Sequence, residues 1–585
     1  MHQSDLPQIT PVGPAVEVEV LVTRACNLKC PHCCAAAGSA QAHELPLADW
    51  VRILHELADA GVLTVTLTGG EPFLRDDIVE MASVAVQAGM NVAIDSNGWY
   101  VTPQVAEALS ALGNVSVSIS VDGPEEYHDR FRGVPGSFAR AVQAVRLFSH
   151  AGVSVGVNFM VTDRSMDFFL DTARLAADAG AKSISVGQCG TLGRSDQGLV
   201  VTWKHWQEFV TRLSDRARCG ELPLPIRGLW TGGWQLYLPL RHRLADAFAR
   251  DVWAKPPEVT PDCGTCPLAV YTCAIGPEGE MYPCDTLTSY PEMICGSVAR
   301  EGFTAVWQRS RVLHHIRSLQ YRTMEPCATC DIGELCHGGC RGCTYGFTRS
   351  LSVPDPRCPR VAAHARLELG GAALHDTLPA GAPYLYPESA MADADPGRFG
   401  TESLTLFGVR CRFSKHPRSV IAKSVTPGVS YVYLNYSALS MLRNVAESAA
   451  CTQAVGAIAR SFGISAGRAT ADLTALLTQL GDGGFLPRES VAEYLSGSLR
   501  PREEDELPLF VSRALSDDRH LVLGTRAGIV RAMNATAVQV LDCIASGLDL
   551  SETVQRIALA HGADPAIVRE DVQAFWATAH EFLEM

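Results

Sequence analysis

Apolar and polar side chains alternate through Val16-Glu-Val-Glu-Val-Leu-Val22, the period-two pattern of a strand whose two faces meet different surroundings. Further β-branched apolar runs fall near 63–67, 92–96, 115–120, 153–160 and 183–187, separated by helical stretches such as 103–112, 137–150 and 165–180. Six strands with helical crossovers predict a parallel α/β sheet, whose chemistry sits at the carboxyl ends of the strands. From Gly370 to Gly400 the periodicity fades into Gly, Ala and Pro-rich sequence that reads as a linker. Two related segments follow. At a constant offset Asn435, Ala438, Leu442, Ala446, Val455, Ile458, Gly463 and Asp472 find identical partners at Asn534, Ala537, Leu541, Ala545, Val554, Ile557, Gly562 and Asp571. A short β region and three helices explain that spacing: one started by the asparagine, one with apolar residues at 455 and 458, and one beginning near Ala466.

Length and composition narrow the picture. A chain of 585 residues exceeds what one core organises and suggests about three to five domains. The 47% hydrophobic content is that of a soluble globular protein. No stretch reaches the ~18 uncharged apolar residues of a membrane span, and the first residues lack the basic and apolar segments of a signal peptide. The expectation is a cytoplasmic protein with no membrane partner. A net charge of -14 argues against general affinity for nucleic acid. In such a protein the 20 cysteines point to metal rather than disulfides, and most crowd into 26–34 and 263–358.

The run Thr23-Arg-Ala-Cys26-Asn-Leu-Lys-Cys30-Pro-His-Cys33 follows the first strand. Three thiolates leave a four-iron cluster one protein ligand short, and an iron lacking a cysteine can bind a substrate. The competing reading is a zinc knuckle, for which His32 is poorly placed to close a tetrahedral site. After the second strand, Gly69-Gly70-Glu71-Pro72 offers two glycines that let a ligand approach the backbone and a carboxylate that accepts from an ammonium group. Asp95-Ser96-Asn97-Gly98 follows the third strand and Ser118-Ile-Ser120-Val-Asp122-Gly123 the fourth, both suited to hydroxyl and amide contacts, although loop capping would also use them.

The C-x3-C-x2-C spacing and the Gly-Gly-Glu-Pro run resemble the radical S-adenosylmethionine enzymes. That resemblance implies a partial (β/α)6 TIM-like barrel and S-adenosylmethionine chelated by the unique iron of a 4Fe-4S cluster on Cys26, Cys30 and Cys33. It implies that Gly69 to Pro72 meet the methionyl amino group, with Ser96, Asn97, Ser118, Ser120 and Asp122 beside the cofactor. It gives the methionyl carboxylate to an arginine, here Arg132 rather than Arg130, and lays the backbone at Gly190 along the adenine. The later cysteines, Cys327-x2-Cys330-x5-Cys336-x3-Cys340 above all, resemble the cysteine-rich SPASM extension with two auxiliary 4Fe-4S clusters. By that resemblance one cluster takes Cys327, Cys330, Cys336 and Cys358, while the other takes Cys284, Cys340 and upstream cysteines. Cys263, Cys266 and Cys273 offer one more than needed there; Cys266 is favoured, and Cys263 against Cys273 stays open. Structural zinc is the alternative. Asp285 follows a ligand, where some sulfatase-maturing relatives keep a catalytic base.

The repeats resemble the RiPP recognition element, a small winged-helix module that adds the leader of a ribosomally made precursor peptide as a strand at a sheet edge. A winged helix used only for packing or dimerisation is the plainer account. The expected layout is a tail at 1–15, the radical barrel at 16–235, the SPASM domain at 236–365, a linker at 366–403, one repeat at 404–489, a linker at 490–507 and a second repeat at 508–585. The resemblance implies a peptide maturase making a thioether or carbon-carbon crosslink in a precursor peptide, supplied with electrons by a flavodoxin or ferredoxin. Oxidation of a Cys or Ser in a protein, as by sulfatase-maturing enzymes, is an alternative; a non-catalytic iron-sulfur carrier or sensor is another.

Overall fold

The computed structural model describes residues 12–230 except 196, then 268–362, and from 400 to 576 a set of interrupted segments, with a few single positions between these blocks. Strands β1 (Glu17–Leu21), β2 (Thr64–Thr68), β3 (Asn91–Ser96), β4 (Val115–Ser120), β5 (Ser154–Val161) and β6 (Ser183–Gln188) lie side by side in chain order, all parallel. Helices α1 (Leu47–Asp59), α2 (Ile78–Gln87), α3 (Pro103–Leu112), α4 (Glu125–Arg132), α5 (Ser137–Ala151) and α6 (Phe169–Asp178) provide the crossovers. The six-stranded half-barrel read from the sequence is therefore present, and it is longer at both ends. After α7 (Trp203–Arg218), β7 (Ile226–Trp230) pairs with β6. At the other end β8 (Thr272–Ile275) pairs parallel to β1, and β9 (Glu280–Tyr282) and β10 (Gly296–Ser297) continue the sheet antiparallel.

Register explains why parallel strands alternate instead of reading as continuous apolar runs. Val18, Val20, Val65, Leu67, Ile94, Val117, Ile119, Val155, Val157, Ile184 and Val186 are at most 2% exposed and join Trp50, Ile53, Phe148 and Phe169 of the crossover helices in one core. The intervening positions carry Glu17, Glu19, Thr64, Thr66, Asp95, Ser116, Ser118, Ser120, Asn158, Ser183 and Ser185. Pairing puts Glu17 beside Thr64, Asp95 beside Ser118, and Ser120 beside Asn158. One face of the sheet is thus sealed by helices and the other is polar and built from small side chains, which leaves room for something polar to sit against it.

By its contacts the chain divides into two units, 1–403 with 412–436, and 404–411 with 437–585. In the tail β11 (Gly400–Leu406), β12 (Val409–Lys415), β13 (Val420–Ser424) and β14 (Val432–Leu434) form one sheet, and β15 (Phe510–Ser516), β16 (Arg519–Gly524) and β17 (Ile529–Met533) form an antiparallel second. Helices at Tyr436–Ala446, Cys451–Phe462, Ala466–Asp482 and Arg488–Ser496 follow the first, and Leu550–His561 follows the second. Matched apolar residues are buried in both copies: Val455 and Ile458 in one, Val554 and Ile557 in the other. In the first copy β11 lies beside β12; the matching positions of the second copy lie outside the described residues. β11 also begins inside the expected linker, and the helix Arg488–Ser496 runs into the next one. Asn435, Gly463, Asn534, Ala537, Leu541, Ala545, Gly562 and Asp571 lie outside the described residues.

Phe159 of β5 is 1% exposed and meets Phe169 edge-on, with centroids 5.4 Å apart. Phe159→Ala is expected to cost ~3–5 kcal/mol through the cavity it leaves, read as a fall in the midpoint of the barrel's denaturant transition; an unmoved midpoint would show that the core closes over the void.

Candidate functional site

The loop after β1 is fixed by backbone before any thiol is considered. Val22 N–H donates to Thr68 O at 2.9 Å, Gly70 N–H to Thr23 O at 2.8 Å, Glu71 N–H to Ala25 O at 2.8 Å and Cys26 N–H to Gly38 O at 2.8 Å. Arg194 adds its N–H to Cys33 O at 3.0 Å and Nε to Cys30 O at 3.2 Å, while Arg24 Nη2 reaches Thr288 O at 2.6 Å. A Cβ on Gly70 would collide with the Ala25 carbonyl, and one on Gly69, at φ +132°, with that of Thr23. The two glycines therefore admit the neighbouring cysteine loop, a close backbone approach that the sequence did not signal.

Each triad sulfur accepts an N–H. Leu28 N lies 3.4 Å from Cys26 Sγ, Ala37 N 3.4 Å from Cys33 Sγ, and Arg132 Nη1 3.8 Å from Cys30 Sγ. Three cysteines with inward N–H donors suit an iron-sulfur cluster, whose sulfurs are stabilised by such bonds. Burial pushes the Cys26 thiol up to about 11 and raises Cys30 as well, so a positive centre would favour the thiolate of both. His32 packs beside the triad. It stacks on Phe131 at 4.3 Å, and burial holds its ring neutral, down to about 3.

Glu71 is fully buried. It accepts from Phe73 N at 3.1 Å, Ser96 Oγ at 2.8 Å and Asn97 N at 2.8 Å. Burial outweighs these bonds and pushes its carboxyl up to about 7, so an arriving ammonium group would ionise it at neutral pH. Asn97 Nδ2 donates to Asn27 Oδ1 at 2.9 Å, tying the β3 loop to the cysteine loop. Ser96 and Asn97 thus hold Glu71 and the cysteine loop in place.

Asp122 and Arg132 are already committed to each other. The carboxylate accepts Arg132 Nε at 2.6 Å and Met160 N at 2.8 Å, with its residue wholly buried. Burial raises the Asp122 carboxyl, but Arg132, His32, His128 and the Met160 N–H together overcome it and the net shift is downward. The Arg132 guanidinium faces Asp122 and Cys30, not the open space expected of a carboxylate-binding arginine; Arg130 lies at the surface, paired with Glu126. Ser118 bonds Asp95, whose carboxyl burial pushes up to about 6, and Ser120 lies in register with Asn158. Gly190 likewise has another neighbour: a Cβ there would stand 2.9 Å from Cys343 Sγ.

The later cysteines separate into two places. Cys327, Cys330, Cys336 and Cys358 line one cavity with Pro326, Ile332 and Arg360. Cys284 donates its S–H to Asp285 Oδ1 at 2.9 Å, and Cys343 N donates to Cys340 Sγ at 3.4 Å. Burial raises the Asp285 carboxyl. Cys273 is the exception. It pairs in register with Val18, on the apolar face of β1 opposite Glu19, is 1% exposed and lies among Cys295 and Arg317. This places it in the core and corrects its inclusion among the ligands. Cys263 and Cys266 lie outside the described residues. Sequence reasoning missed Glu19, whose neighbours include Asp285, Glu17 and Asp95, although the β1 alternation marked its face; nothing marked Arg194, Arg24 or Arg360.

A profile of the radical SAM superfamily matches residues 20–176, and one of the SPASM iron-sulfur cluster-binding domain matches 266–331. The chain is 29% identical over 354 residues to the AdoMet-dependent heme synthase of Nitratidesulfovibrio vulgaris, covering 58% of this chain and 90% of that one. It is 29% identical over 350 residues to the mycofactocin maturase MftC of Mycolicibacterium smegmatis, covering 58% and 81%. Streptococcus suis SuiB bound to its precursor peptide SuiA superimposes with a TM-score of 0.51 at 18% identity, over 60% of this chain and 77% of that chain, a likeness of fold.

Gly70→Ala is expected to push the cysteine loop off the β2 turn and cut iron retention at the triad several-fold, whereas Gly467→Ala, with nothing within 4 Å of the added carbon, leaves it unchanged. Iron analysis and the cluster's absorption after reconstitution measure this, and equal retention in both variants would refute the close-approach account.

Proposed function

Because the chain is an enzyme of the radical S-adenosylmethionine type, with that superfamily's domain followed by a SPASM domain, we propose that it matures a ribosomally synthesised precursor peptide by a thioether or carbon-carbon crosslink. The observation that carries the reading is the triad of N–H-supported sulfurs locked by backbone against the buried Glu71. When bound, the cofactors supply a 5'-deoxyadenosyl radical that takes a hydrogen atom from the substrate. The chain's own residues prepare the place. Glu71 meets the methionyl ammonium as its carboxylate, Ser96 and Asn97 fix that carboxyl, and the polar face of β1 to β6 holds the reacting groups. Asp285, beside Glu19, is the candidate base for a substrate proton. We assign one auxiliary 4Fe-4S cluster to Cys327, Cys330, Cys336 and Cys358 and the other to Cys284, Cys340, Cys263 and Cys266.

A peptide substrate draws support from the maturase relative and from the tail, where a four-stranded and a three-stranded sheet, each followed by helical segments, suit addition of a leader strand at an edge. We keep the tail repeats as leader-binding modules, a flavodoxin or ferredoxin as electron donor, and a cytoplasmic setting free of nucleic acid and membrane. Among the described residues no helix is long and apolar enough to cross a membrane. The heme synthase relative favours a second reading, heme formation by the same barrel. That reaction gives the leader-like repeats no task.

Replacing Cys26, Cys30 and Cys33 together with alanine is expected to abolish 5'-deoxyadenosine release under reducing conditions, and chromatographic detection of persistent product would end the radical reading. Removing 404–585 is expected to weaken precursor-peptide binding at least tenfold while uncoupled cofactor cleavage continues. Unchanged affinity by fluorescence anisotropy would detach the repeats from the leader, and turnover of a porphyrin in place of any peptide would favour the heme reading.

A further inference from the structure

We propose that Arg360 sets the reduction potential of the cluster held by Cys327, Cys330, Cys336 and Cys358, acting through the sulfur of Cys330. The inference rests on the reading that these four thiolates hold a cluster. Arg360 lines their cavity. Its Nη1 lies 2.8 Å from Cys330 Sγ, and the same nitrogen is held by the Asp331 carboxylate. Asp331 adjoins Cys330 in sequence and Arg360 follows Cys358 by two residues, so two ligand-bearing turns carry the opposed charges to one sulfur.

A cluster with four thiolates is already anionic, and reduction adds one more electron. A guanidinium is permanently positive. Held against a ligand sulfur, it favours the reduced form both by charge and by an N–H···S bond, two of the levers that set such potentials. Asp331 works the other way while keeping Arg360 in place. Stability is a poor account of the pair, since the side chains are 30% and 61% exposed and ion pairs so open to water contribute little. The arrangement recurs at the triad, where Arg132, held by Asp122, brings Nη1 to 3.8 Å from Cys30 Sγ. Arg360 is thus a positioning residue: a cluster on these four thiolates would accept the electron that the substrate radical gives up once its hydrogen atom has gone, and would return it to a low-potential carrier of the flavodoxin or ferredoxin class.

The test is a potentiometric titration of the reconstituted full chain followed by electron paramagnetic resonance, in the Cys26→Ala, Cys30→Ala, Cys33→Ala background so that auxiliary signals stand alone. Arg360→Gln is expected to lower the ratio of reduced to oxidised cluster at fixed potential about tenfold, ~59 mV for a one-electron couple. Asp331→Asn is expected to move the ratio the opposite way. Unmoved midpoints in variants that hold wild-type iron overturn the inference and leave the cluster reading standing. If Arg360→Gln fails to hold iron, Asp331→Asn decides alone, and an unchanged or lowered ratio overturns it. If the background protein holds no more iron than one also carrying Cys327→Ala and Cys330→Ala, it is the cluster reading that fails.

Discussion

The structure turns on how closely the loop after β1 lies against the loop after β2. Thr23 and Ala25 offer carbonyls to Gly70 and Glu71, and no side chain at 69 or 70 could be accommodated between them. That contact fixes Cys26 relative to Glu71, and hence the triad sulfurs relative to the buried carboxyl. Arg194 from the loop after β6 and Arg24 toward Thr288 extend the same clamp to both ends of the sheet. A carbonyl bonded to a fixed donor cannot drift, so the triad is positioned before any cofactor arrives.

Electrostatics around this frame are arranged in pairs. Arg132 is neutralised by Asp122 and still reaches Cys30; Arg360 is neutralised by Asp331 and still reaches Cys330. A lone guanidinium beside an apolar core would be costly to bury, and a lone aspartate beside a thiolate would repel it. Pairing them lets positive charge stand next to sulfur at a tolerable cost. Elsewhere Glu19, Asp95 and Asp285 gather with their carboxyls raised by burial, which makes each a better proton acceptor than an exposed carboxylate.

Much of the barrel was legible in the sequence because its pattern is local. Alternation in β1, spaced cysteines and the Gly-Gly-Glu-Pro turn each lie within about ten residues, and strands β2 to β6 fell where β-branched runs stood. The additions at the sheet's ends were not legible: β8 is four residues long and β10 two, too short for periodicity to register. The repeat helices at Cys451–Phe462 and Ala466–Asp482 matched the expected spacing, whereas β11 did not, since it starts within sequence that reads as linker.

The sequence by itself determined the donors and their order: three cysteines after the first strand, a carboxylate after the second, and a later series of thiols. Chemistry of this kind is set by residue type and short spacing. Only the tertiary structure decided which groups meet. It turned Cys273 into the core with Val18, committed Arg132 to Asp122, gave the glycines to the neighbouring loop, and carried Arg360 to the sulfur of Cys330. These contacts join positions tens to hundreds of residues apart, and they exist because strand register and loop closure bring such positions together. No local pattern encodes that.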